Sequence, residues 1–83
     1  MRYNVLLQPG DDPGIYVAFV PSLDIVTQGA STEQALDAAR EAIVLTVRGL
    51  IEEGEEIPAD SPEAMLTSVD VPLASENRAS TLA

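Results

Sequence analysis

The stretch that decides the fold is "LDIVTQGASTEQAL", residues 23–36, because it changes from strand chemistry to helix chemistry within a few residues. Residues 25–27 are mostly apolar and β-branched, which is typical of a short strand. Gly29 lets the chain leave a sheet at almost any backbone dihedral. Ser31, followed three residues later by Gln34, matches a helix capping box. The stretch therefore predicts a strand that turns directly into a helix.

The predicted helix spans residues 32–53 and ends at Gly54, which can adopt the left-handed conformation of a helix C-terminus. Its apolar residues cover an arc of roughly 200°, whereas docking one face needs about 100°. Leu45 lies outside even this arc, beside Glu41 and Arg48. A single exposed leucine is ordinary on a protein surface. Together with the wide arc, however, Leu45 favours contact with a second molecule, and we expect a homodimer or a higher oligomer. The predicted core stripe consists of Leu36, Ala39, Ile43, Val47 and Leu50.

The rest of the chain predicts the strands of one sheet. Residues 2–8 alternate between apolar and polar side chains, as in a half-buried strand, and the loop at 9–14 contains two Pro, two Gly and two Asp. Residues 15–20, "IYVAFV", are apolar on both faces, which predicts a central strand covered on both sides. Residues 65–71 return to a strand pattern. We therefore expect an α+β fold with an antiparallel sheet of three to four strands and one long helix packed on one face.

Composition argues against an enzyme. The chain has 83 residues, enough for one small domain, and contains neither His nor Cys. This removes the commonest general base and the thiolate metal ligands. A two-metal nuclease needs several converging carboxylates, but the first two strands carry none, and the spacing of Asp24 and Asp70 does not make them converge. We expect no catalytic residues, no metal and no cofactor.

The charge of the chain points to a basic partner. Fourteen acidic residues against four Lys or Arg give a formal net charge of −10, which repels nucleic acids and anionic lipids. An alternative is that the acidity serves solubility and that the acidic runs are only solvated. With neither a signal peptide nor an apolar stretch of about 20 residues, a cytoplasmic location is expected. The candidate partner-binding residues are Asp11, Asp12, Asp24, Leu45, Glu52, Glu53, Glu55 and Glu56.

The order and spacing of these motifs resemble the HicB-like antitoxin family, including its short stand-alone members, over about residues 2–58. The matching positions are Val20, Pro21, Leu23, Thr27, Gly29, Ser31, Glu33, Gln34, Ala35, Leu36, Ile57 and Pro58. The helix segment "AREAI", residues 39–43, also fits. Asp24-Ile25 stands where many members have Pro-Gly, and Ala30 stands where many have an acid. Both departures lie in a loop region, so they concern partner specificity more than fold.

The resemblance implies an incomplete ribonuclease-H-like fold without nuclease activity. It also implies a partner, a small basic RNA-cleaving toxin of the HicA type, which is inhibited when its active surface is masked. Many members add a C-terminal DNA-binding domain. Here residues 64–83 are assigned to a strand and a tail, so direct DNA binding is not expected. The predicted organisation is a HicB-like domain at 1–72 and a disordered tail at 73–83.

Two functions remain open from the sequence. The first is an antitoxin module that neutralises a basic toxin. The alternative is an orphan structural or regulatory domain that self-associates and has no toxin. A residual nuclease is a third and weaker reading, because of the missing carboxylates.

Overall fold

A computed structural model describes residues 1–73. Three strands precede one helix: β1 (Leu6–Pro9), β2 (Tyr16–Val20), β3 (Ile25–Gly29) and α1 (Thr32–Glu52), with a single 3-10 turn at Pro21–Leu23 between β2 and β3. The strands form one antiparallel sheet in the order β1-β2-β3. The predicted α+β fold is confirmed, with three strands in this part of the chain. The ribonuclease-H-like detail stays a prediction. Most of the predicted disordered tail lies outside the described residues.

The two ends of α1 are held as the sequence predicts. Ser31 caps the first turn, since its hydroxyl accepts a hydrogen bond from the Gln34 N–H at 3.1 Å. The Gln34 side chain accepts from the Ala30 N–H at 3.0 Å, one residue before the cap. At the other end, Gly54 has a φ of 70°. Glu55 donates its N–H to the Leu50 carbonyl and Gly54 to that of Ile51, which is a Schellman motif. The predicted stop at Gly54 is therefore confirmed.

The core lies between α1 and one face of the sheet. Its buried members are small aliphatic side chains, and α1 packs mainly on β3 and β2 and little on β1. Tyr3, Val5 and Leu7 line the same face, as their alternation predicts. Leu36 and Leu50 of the predicted core stripe remain half-exposed. The buried residues are Ala18, Val20, Ala35, Ala39 and Val47.

One face of the sheet has no covering layer among residues 1–73. The register places Leu6, Phe19 and Val26 side by side across the three strands on this face. Leu6 and Phe19 are half-buried, and Val26 is 65% exposed. Within this single chain only one side of β2 is covered, so coverage of its other side by a second molecule stays a prediction. The single helix follows β3 through a two-residue turn, so it can return over only one face.

The predicted strand at residues 65–71 is not formed. A turn at 61–64, closed by the Ala64 N–H and the Ser61 carbonyl at 3.1 Å, leads the chain away from the sheet. The large apolar side chains of residues 65–71 are all exposed. A strand needs a neighbouring strand for its backbone hydrogen bonds, and this segment has none within the described part of the chain.

Candidate partner-binding surface

The helix end carries a dense group of acids, which we call the helix-end acids. Glu52, Glu53, Glu55 and Glu56 are all exposed, and the Schellman motif at Gly54 fixes the backbone between them. None of the four forms an ion pair within residues 1–73. The helix dipole adds partial negative charge at this same end. The result is a concentrated negative potential on a rigid element.

Asp24 lies towards the same end of the molecule. Because β3 and α1 run in opposite directions, the end of α1 returns towards the start of β3, where Asp24 stands. Asp24 is exposed and has a φ of 55°, in the left-handed region. Its N–H donates to the Pro21 carbonyl at 3.3 Å, closing the 3-10 turn. Asp24 and the helix-end acids therefore belong to one acidic end.

Asp11 and Asp12 lie at the opposite end of the sheet. They occupy the hairpin loop between β1 and β2, where Gly10 donates to the Ile15 carbonyl at 2.7 Å. Both are exposed. This loop lies beside the start of α1, since β2 begins at Tyr16 opposite Gly29. The structure thus separates the seven candidate acids into two groups, which a single small partner would not have to contact together.

Leu45 is 68% exposed on the outer side of α1. It forms a shallow apolar depression with Val44, flanked by Arg40 and Glu41. Arg40 also pairs with Asp37 at 2.7 Å, and both side chains of that pair are about 70% exposed. Such an exposed pair contributes less than about 1 kcal/mol to stability. Leu45 is thus an exposed apolar side chain outside the core, and its role in partner binding stays a prediction.

Asp60 is an acid with a structural role, and its sequence context does not single it out. Its carboxylate accepts hydrogen bonds from the Ser22 hydroxyl and the Asn4 N–H, both at 2.8 Å. The bond from Ser22, followed by backbone bonds from Asn4 and Ser61, holds the pKa of Asp60 below its usual value. Asp60 therefore ties the connector after α1 to the sheet. The sequence shows it only as one acid in a charged, Pro-containing run, with no signal that separates it from its neighbours.

The connector makes two further contacts with the start of the chain. The Tyr3 hydroxyl donates to the Pro58 carbonyl at 2.6 Å, and the Asn4 side-chain amide donates to the Ser61 carbonyl at 2.9 Å.

Between residues 1–5 and α1 an open groove of about 630 Å³ remains. Tyr3, Val5, Ile43 and Val47 contribute much of its apolar lining, with Arg40 and Arg48 at its border.

These residues offer binding chemistry. Within residues 1–73, no three His, Cys, Asp or Glu side chains lie close enough together to hold a metal ion. None of the helices in this range is long and apolar enough to cross a membrane. The acidic end, the apolar groove and Leu45 are the accessible charged and apolar features described above.

Comparison with curated proteins finds several relatives. The chain is 37% identical over 73 residues to Antitoxin HicB 1 of Photorhabdus laumondii, a match that covers 88% of this chain and 46% of that protein. It is 37% identical over 62 residues to Antitoxin HicB of Escherichia coli K12, covering 75% of this chain and 45% of that protein. It is 38% identical over 64 residues to the UPF0150 protein Ta0767 of Thermoplasma acidophilum, covering 76% of this chain and 91% of that protein.

The chain thus spans about half the length of the two HicB antitoxins and nearly all of the Thermoplasma protein. No family model matches the chain, and no solved structure matches it.

Proposed function

Because this chain belongs to the HicB-like antitoxin family, we propose that it is a non-enzymatic, cytoplasmic antitoxin that binds a small basic RNA-cleaving toxin of the HicA type. The chain neutralises this toxin by covering the cationic surface with which the toxin holds RNA. The antitoxin role is named for the two HicB relatives, which are about twice as long as the part that this chain matches.

The observation that carries the proposal is the acidic end. A toxin that binds RNA presents cationic groups to phosphates. The helix-end acids and Asp24 present carboxylates from a capped helix and a closed turn, so little backbone freedom is lost when they pair. Charge pairing across an interface mainly raises the association rate. The proposed antitoxin therefore competes with RNA for the same groups and needs no catalytic residue of its own.

The central experiment measures toxin binding and inhibition by charge-neutral variants. One variant changes all four helix-end acids to Gln, and a matched variant changes Asp11 and Asp12 to Asn at the opposite end. We expect the first to reduce the association rate about tenfold or more at low salt, and the second to change it much less. The rate for the parent should fall as salt rises, since screening acts over about 8 Å at physiological ionic strength. Inhibition in an RNA cleavage assay provides the functional measurement.

Two outcomes would contradict this proposal. If all charge variants inhibit like the parent and binding ignores salt, neutralisation rests on apolar burial, and Leu45→Asp should then weaken it. If metal-dependent RNA cleavage appears with the purified chain alone, the assignment as a non-enzymatic module is wrong.

The second candidate, a self-associating domain without a toxin, is favoured by the apolar surface that remains exposed after folding, including Val26, Leu45 and the segment after residue 64. The two candidates differ in one simple respect. A neighbouring gene for a short basic protein with a catalytic His supports the antitoxin, and its absence together with stable self-association supports the second candidate.

A further inference from the structure

The described chain ends in an apolar segment whose large side chains are mostly exposed. We call residues 64–73 the terminal arm. Met65, Leu66, Val69, Val71 and Leu73 are 69–83% exposed. Met65, Val69, Val71 and Leu73 stand at odd positions, so an extended arm would place all four on one face. An exposed apolar surface of this kind marks an interaction site.

The start of the arm is fixed and directs it outward. Asp60 accepts from the Asn4 N–H, and the Asn4 side chain donates to the Ser61 carbonyl. The turn at 61–64 follows at once, and Pro62 lies inside it. The arm then leaves the sheet, which agrees with an overall length of 55 Å against widths of 29 and 21 Å. No residue of the arm lines the groove of its own chain.

The receiving surface is the outer edge of β1 together with the groove beside it. β1 is an edge strand, so its outer backbone groups have no strand partner among residues 1–73. The groove exists because α1 packs over β3 and β2 and leaves the β1 side of the sheet open. A strand added along β1 and residues 1–5 would direct every second side chain towards this groove. The arm supplies that alternation.

We propose that the terminal arm of one copy pairs with the β1 edge of a second copy and fills its groove, so that two copies exchange arms in a symmetric dimer. The exchange satisfies the backbone groups of both arms and both edges, and it buries apolar surface twice. Exchange of an identical element is a low-cost route to a dimer. Pro72 fits an outermost strand, where its missing N–H removes no ladder hydrogen bond. This inference does not depend on the toxin.

The first test is the oligomeric state of the full chain by sedimentation at micromolar concentration. We expect the parent to be a dimer and Val69→Asp with Val71→Asp to weaken the dimer about a hundredfold or more, since two apolar side chains lose their burial. Both positions are exposed in the single chain, so the variant keeps its fold, which circular dichroism checks. Leu45→Asp is the matched control and should leave the dimer intact.

The second test locates the arm. The chain has no Cys, so single Cys variants can be mixed and joined by a short bis-maleimide. Val71→Cys in one copy should link to Val5→Cys in another copy of different mass, and Val26→Cys at the far edge of the sheet should not link. A monomeric parent overturns the proposal. So does loss of the dimer in Leu45→Asp but not in the arm variant. A link between residues 5 and 71 within one monomeric double variant would show that the arm folds back on its own chain, which also overturns it.

Discussion

Gly29 lies at the tightly packed corner between β3 and α1. A Cβ at this position would lie 2.6 Å from the Ala35 nitrogen and 2.7 Å from the Gln34 Cβ. Because one of these neighbours is helix backbone, it cannot move aside without shifting α1. The corner therefore needs glycine for close approach, and its conformational freedom is secondary.

We expect Gly29→Ala to reduce the free energy of unfolding by about 1–3 kcal/mol, as overpacking does in tight sites. Gly49→Ala is the control, since a Cβ there meets nothing within 4 Å inside α1. That change should raise stability by up to about 0.5–1 kcal/mol through helix propensity. Urea unfolding of both variants measures the difference. Equal effects of the two substitutions would mean that the corner is not tightly packed in solution.

Asp60 connects the segment after α1 to the sheet through charge-assisted hydrogen bonds from Ser22 and Asn4. Because its pKa is lowered in the folded protein, its ionised form stabilises the fold at pH values above the unfolded pKa. This contribution is lost as the pH falls from the unfolded value of about 3.9 through the lower folded one.

Asp60→Asn is accordingly expected to be less stable than the parent at pH 7, with the gap narrowing as the pH falls below about 4. Thermal unfolding of the parent and the variant, at pH values from about 2.5 to about 7, measures this difference in stability. Glu63→Gln, an exposed acid three residues later, serves as the control and should track the parent. A stability gap that stays constant with pH would assign the effect of Asp60→Asn to packing instead.

At the scale of elements, the capped start of α1 sets where the helix begins. The Ser31 hydroxyl satisfies the Gln34 N–H, and Gln34 satisfies the Ala30 N–H in return. These donors have no partner inside the helix. The cap therefore stabilises both the helix and its angle to β3.

Ser31→Ala should lower the free energy of unfolding by about 1 kcal/mol, within the range of about 0.5–2 kcal/mol for lost caps. Thr32→Ala, one residue later and exposed, removes a hydroxyl that makes no cap bond and should change stability little. Chemical denaturation gives both values. If Thr32→Ala proves as costly as Ser31→Ala, the cap has been assigned to the wrong hydroxyl.

In contrast to the N-terminal cap, the helix-end acids destabilise their own end of α1. Carboxylates near a helix C-terminus are unfavourable by about 0.3–1 kcal/mol each at low ionic strength. The Schellman motif and the packing of α1 on the sheet outweigh that cost. Because their charge has a stability cost at this position, these four residues are the first to be replaced in the toxin experiment.

At the scale of the whole molecule, a net charge of −10 on 83 residues repels itself in the folded state. Added salt screens this repulsion. We therefore expect the melting temperature at pH 7 to rise between low and moderate NaCl concentration. The variant with four helix-end Gln residues, which has a net charge of −6, four units less negative than the parent's −10, should show a smaller rise. A parent that melts earlier in salt would contradict this account.

Several elements could be predicted from the sequence because their cause is local. The position and limits of α1 follow from Ser31, Gln34 and Gly54, each of which acts within one helical turn. The strand order follows from short loops, since chain neighbours joined by a few residues pair as antiparallel strands. The side of residues 3–7 that meets the core follows from the alternation of Tyr3, Val5 and Leu7, of which only Leu7 lies in β1.

The candidate acids were identified one by one, but their grouping follows from the sheet. Only the antiparallel return of α1 brings Asp24 towards the helix-end acids and leaves Asp11 and Asp12 at the other end. For a similar reason, the sequence does not distinguish Asp60 from the other acids near it in the chain. Its partners, Asn4 and Ser22, lie 56 and 38 residues away in the chain.

The sequence by itself determined α1, the three paired strands, the acidity and the absence of His and Cys, because these depend on residue identity and spacing over a few positions. Tertiary structure alone decided which apolar faces are covered. The alternation at 65–71 is the same whether or not a neighbouring strand is present to pair with it. The outer face of β2 is as apolar as a buried face, although the one helix covers only the inner face. Burial and strand pairing are relations between distant segments, so they are settled only when the turn at 61–64 and the packing of α1 have directed each segment to its place.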